Sequence, residues 1–148
     1  MSEHIVVRSV GAAVPAFLVD LGFVLLFATV GRLSHAEGVP LAGILGVAWP
    51  FAVALVVAWV VAHRRAGWPV RMPGSATVWL VTAVLGLVLR VATGGGFAWS
   101  FGVVTLVVLG LFLVGWRCAV EVLRFVGEGL ARWAGRQRSG DQPGGAKR

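Results

Sequence analysis

The stretch VGAAVPAFLVDLGFVLLFATV, Val10 to Val30, decides the fold. Its 21 residues carry one charge, Asp20, and at about 1.5 Å per residue they make about 30 Å of helix, the depth of a bilayer's hydrocarbon core. A secretory signal peptide would have an apolar region of about 7 to 15 residues and then a cleavage site of small residues. This run is longer, contains Asp20 and ends at Gly31-Arg32, so a retained first helix is expected. An aspartate at mid-depth costs roughly 2.5 to 3.5 kcal/mol, and other helices must therefore bring it a partner, a proton or a polar cavity. At helical spacing Ala13, Ala16, Phe17, Asp20, Val24, Phe27, Ala28 and Gly31 share one broad face, whose small residues let a neighbour come close.

The rest of the chain supplies such neighbours. Of 148 residues, 58% are hydrophobic and 13% charged, with a mean hydropathy of +0.89; a soluble domain carries about 25% charged residues. Further apolar runs cover 41–62, 76–92 and 97–116, so the expected fold is all-α: four transmembrane helices (10–30, 41–62, 76–92, 97–116) behind a polar lead, 1–9. Trp49-Pro50 should kink the second run near Gly46, a feature of ligand-lining and ordinary membrane helices alike. Ala54, Ala58 and Ala62 offer it a packing stripe. In the third run Trp79, Thr82, Gly86 and Arg90 fall on one face. If both helices start on one side of the membrane, Arg90 stands about 6 Å in height from Asp20, within an arginine's reach. Thr93-Gly94-Gly95-Gly96 is a tight hairpin link, because it follows no strand and lacks the Lys and Ser or Thr of a phosphate loop.

Past Trp116-Arg117, which reads as an interface anchor, the residues Arg117, Glu121, Arg124, Glu128 and Arg132 form a polar stripe opposite Ala119, Val122, Leu123, Val126, Leu130 and Trp133. Segment 117–134 is therefore expected to be an amphipathic helix on the membrane surface, or else a continuation of the fourth span, and 135–148 a disordered basic tail.

The net charge of +7 comes almost wholly from arginine. These arginines sit at the ends of apolar runs rather than on a basic face interleaved with aromatics, so no nucleic-acid partner is expected. Arg8, the Arg64, Arg65 and Arg71 group, and Arg117, Arg124, Arg132 and Arg136 fall on one side, against Arg32 and Arg90 on the other. That bias predicts N- and C-termini in the cytoplasm. The connection after the first run holds Arg32, Ser34, His35 and Glu37, a proton-shuttling cluster at most and more simply a solvated loop. It offers too few ligands for a metal, and the single Cys118 excludes an internal disulfide and any cysteine-built metal site.

Asp20, the exit segment FATVGRLSH (Phe27 to His35), Trp49-Pro50-Phe51, Leu89-Arg90 and Gly115-Trp116-Arg117 together resemble the domain of unknown function 3054 family, small membrane proteins of actinobacteria and some archaea, over roughly residues 14 to 117. The resemblance implies a multi-pass protein of a bacterial plasma membrane. It brings no activity, substrate, cofactor or catalytic residue.

Two functions follow from the residues. One is a structural or partner-binding membrane protein in which Asp20 and Arg90 form a buried pair that fixes helix register. The alternative is a small proton- or ion-coupled transporter, its pathway lined by Asp20, Arg90, Thr82, Trp49 and Pro50. An enzyme is not expected, since no Ser-His-acid set, His-Glu-x-x-His motif or cysteine with a paired base is present. No cofactor is implied. The lipid bilayer is the expected partner, and a homodimer is a further candidate because four short spans enclose little volume.

Overall fold

The computed structural model describes residues 3–33, 41–70, 74–96 and 98–140. Four helices account for nearly all of them: α1 (Glu3–Leu33), α2 (Leu41–Ala66), α3 (Gly74–Ala92) and α4 (Trp99–Gly140). Among the described residues there is no strand. Each helix is long and apolar enough to cross a membrane, as the hydropathy runs require. The helices overrun those runs at polar ends: α1 starts in the lead segment and α2 continues through His63, Arg64 and Arg65. An α-helix satisfies its own backbone, so it extends into the headgroup layer until a breaker stops it.

Those breakers are glycines in the left-handed region. Gly67, at φ 79°, closes α2 with its N–H donating to the His63 carbonyl. Gly94, at φ 86°, ends α3 in a Schellman motif, with Gly95 N–H on the Arg90 carbonyl and Gly94 N–H on that of Val91. The tight turn expected of Thr93 to Gly96 is therefore present.

Two compact units divide the chain, Met1–Arg117 and Cys118–Arg148. The first is the helical bundle. From Gly11 onward the buried residues of α1 are Ala13, Ala16, Asp20, Val24, Phe27 and Ala28, all of them on the face picked out by helical spacing. On α2, Ala54, Ala58 and Ala62 are buried, as expected of a packing stripe. The Phe51 ring fills the place a side chain at Gly86 would take on α3. Phe27 meets that ring edge-on, with centroids 5.3 Å apart. α4 joins through larger groups. Phe112 stacks on Phe23 at 5.0 Å, and Trp79 lies across Gly110 and donates its indole N–H to the Leu106 carbonyl at 2.9 Å. Lipid tails are as apolar as these side chains, so helices in a membrane are held by close packing and polar links rather than by a hydrophobic drive between them.

The second unit takes the remaining helical residues of α4. Its side chains from Val122 to Arg136 are exposed, with weak pairs between Glu121 and Arg124 (3.9 Å) and between Glu128 and Arg132 (4.0 Å). Of the two arrangements expected for 117–134, the helix bounds match a continuation of the fourth span, α4 running from Trp99 to Gly140, and Arg117 belongs to the first unit. The disordered tail expected from Gly135 is helical to Gly140, and its remainder lies outside the described residues.

Candidate functional site

The buried ion pair among the described residues of the bundle is built on Asp20, whose place on α1 between Ala16 and Val24 turns it inward. It is fully buried, and its partner is Arg117, 1% exposed. The guanidinium meets the carboxylate fork to fork: Nη1 donates to Oδ1 and Nη2 to Oδ2, both at 2.8 Å. Two indoles complete the shell, Trp59 Nε1 donating to Oδ2 and Trp116 Nε1 to Oδ1, each at 3.0 Å. A carboxylate offers about four lone-pair directions, and these four bonds occupy them.

The guanidinium is nearly as well satisfied. Nη1 also reaches the Leu113 carbonyl one turn back on α4 at 2.6 Å, and Nε donates to the Pro69 carbonyl at 3.1 Å. Its carbon also stands over two indole rings, 4.6 Å from the Trp116 ring centre and 6.0 Å from that of Trp59. Phe17 braces Trp59 edge-on at 5.4 Å. One charge pair thus ties together α1 (Asp20), α2 (Trp59), α4 (Trp116, Arg117) and the α2–α3 turn (Pro69). The turn itself is seated firmly: Pro69 is fully buried, and its ring lies where a side chain at Gly74 would stand.

Several expected site residues stand elsewhere. Arg90 is not the partner of Asp20. Its guanidinium lies 4.6 Å over the Phe101 ring at the opposite end of α3 from Gly74, and its stem packs against Gly95. The height estimate that allowed an Asp20–Arg90 pair compared distances along two helices and could not see which faces meet. Trp49 is 43% exposed on the outside of α2, whereas Pro50 beside it is buried; the groups that bond to Asp20 are Trp59, Trp116 and Arg117 instead. Thr82 is fully buried, and its hydroxyl, like that of Thr105 on α4, has no hydrogen-bond partner among the described residues. Arg32 lies across Gly43 at the start of α2. Ser34 and His35 fall outside the described residues, so the exit-loop cluster is represented by Arg32 alone.

Three residues that make the centre were missed by sequence reasoning: Trp59, Trp116 and Arg117. Arg117 was placed at the membrane interface because a Trp-Arg pair closing an apolar run usually anchors there. Its spacing bears on which way Arg117 faces, though not on which residue it meets. Thr105, Leu109, Leu113 and Arg117 recur every four residues, and this row proves to be the buried face of α4.

A family model described as a protein of unknown function, DUF3054, matches residues 17–120, and the chain belongs to that family. The matched span contains every residue of the Asp20 centre. No curated protein and no solved structure matches the chain.

Proposed function

We propose that this DUF3054 member is a non-catalytic multi-pass protein of the bacterial plasma membrane, structural or partner-binding in role, whose buried ion pair locks α1, α2 and α4 and the α2–α3 turn into one register. The observation that carries this reading is the saturation of Asp20: its four acceptor positions are taken by two indoles and a bidentate guanidinium. A carboxylate that exchanges protons or coordinates a cation needs a free lone pair and a path to water. Here a transported ion would first have to displace Arg117 and leave a buried charge without its partner. The bias of arginines toward one side supports an orientation with both termini in the cytoplasm.

The competing reading, a small ion-coupled transporter working through Asp20, rests on the presence of an acid within a span. The two are separated by the double substitution Asp20→Leu with Arg117→Leu, which removes both charges together. A lock tolerates it, because replacing a buried pair by apolar groups of similar volume is often close to neutral. The expected result is a folded protein that restores the phenotype of a deletion strain. A variant that folds, fails to restore it and loses ion or proton flux in proteoliposomes overturns the lock.

A further inference from the structure

Two hydroxyls inside the bundle belong to none of the contacts described above. Thr82 on α3 and Thr105 on α4 are both fully buried, and neither oxygen has a hydrogen-bond partner among the described residues. A hydroxyl shut away from water and left unpaired is costly, and lipid tails offer it nothing. A helical threonine has a remedy at hand in the carbonyl four residues back. Thr29 donates to the Leu25 carbonyl in this way at 2.9 Å, and Thr93 to that of Leu89 at 2.8 Å. Thr82 and Thr105 leave the corresponding carbonyls of Val78 and Phe101 unused. Both threonines face the interior. Thr82 lies between Trp79, which reaches α4, and Gly86, against which the Phe51 ring of α2 packs. Thr105 lies one turn from Phe101, whose ring centre is 6.2 Å from that of Phe27 on α1.

We propose that one ordered water molecule is held between the Thr82 and Thr105 hydroxyls and bridges α3 to α4 within the span. Two ties set the relative height of these helices. The Trp79 indole donates to the Leu106 carbonyl and lies across Gly110, and nearer the hairpin the Arg90 guanidinium stands over Phe101. Counted from the first tie at about 1.5 Å per residue, Thr82 and Thr105 stand level; counted from the second, they differ by about 6 Å. The two oxygens do not bond each other, whereas a water about 2.8 Å from each joins groups up to about 5.6 Å apart. Each hydroxyl donates once and accepts twice, and the helical carbonyls of Val78 and Phe101 keep a second lone pair, so a buried water finds the two to four polar partners it requires. A hard divalent cation takes about six oxygens, and two neutral hydroxyls fall short of that. The bridge would serve α3, which contributes none of the four bonds to Asp20. It therefore stands apart from the role of the ion pair.

The test uses the full chain, carbon-13-labelled at threonine, in lipid bilayers, with solid-state NMR recording how fast magnetisation passes from water to each threonine. Thr93, exposed at the end of α3, is the reference for direct contact with water. Thr82 and Thr105 should receive water magnetisation early despite their burial. In Thr82→Val the transfer to Thr105 should slow, and in Thr105→Val the transfer to Thr82, because a bridge needs both ends. Thr82→Ser keeps the hydroxyl and should keep transfer to Thr105 fast. Each Val variant should melt below the unaltered protein, and the double Val variant no lower than the worse single one, since the first change already breaks the bridge. Slow transfer to either threonine of the unaltered protein overturns the proposal, whether or not the Val variants fold. Fast transfer to Thr105 that persists in Thr82→Val also overturns it, by showing two separate hydration sites. So do Val variants that melt at or above the unaltered protein, the result expected of hydroxyls with no partner at all.

Discussion

At Asp20 the decisive quantity is how many of the four hydrogen bonds survive a substitution. Asp20→Asn keeps the shape but leaves Arg117 buried without its counter-charge, and losing one member of a buried pair costs about 3–5 kcal/mol. Arg117→Ala strands the acid and should cost a similar amount. The double Leu variant should cost far less than the sum of the single changes, a non-additivity readable from denaturation of the purified protein in detergent. Trp59→Phe removes one donor while keeping most of the ring. A hydrogen bond to a charged group contributes about 1.5–3 kcal/mol, so an intermediate loss is expected. Equal, additive losses from all these variants would show that the centre is not one coupled unit.

Among the helices, α2 and α3 close on each other at small residues, and Gly86 is the tightest point. Gly86→Ala drives a methyl into the Phe51 ring. Overpacking of this kind costs about 1–3 kcal/mol, and the paired change Gly86→Ala with Phe51→Leu should recover part of it, as measured by melting temperature. The hairpin end makes a separate demand. Gly94 holds φ at 86°, where an L-residue loses about 1–2 kcal/mol, so Gly94→Ala should destabilise the protein although nothing lies within 4 Å of the added carbon. Gly22→Ala, on the outer side of α1 and also without neighbours within 4 Å, serves as the control and should be neutral or slightly stabilising.

For the molecule as a whole, the testable quantity is sidedness. On a Cys118→Ser background, Ser34→Cys should react with a membrane-impermeant thiol reagent in intact cells, and Ser139→Cys only after permeabilisation. The reverse pattern would overturn the orientation read from the arginines.

Sequence by itself determined the number of spans, the inward face of α1, the small-residue stripe of α2 and the glycine hairpin. Each is a local property, set by hydropathy over a bilayer's depth, by 3.6-residue spacing or by the backbone freedom of glycine. It also showed that a buried acid needs a partner, because that cost belongs to the residue and not to the fold. Tertiary structure alone decided which residue answers Asp20. Arg90 and Arg117 both end apolar runs, and along the chain they look equally able to serve. Only the packing of α4 against α1, with Phe112 on Phe23 and Trp116 and Trp59 around the carboxylate, turns Arg117 inward and leaves Arg90 over Phe101. Partner choice between residues 97 positions apart depends on which helix faces meet, and no periodicity within a single helix carries that information.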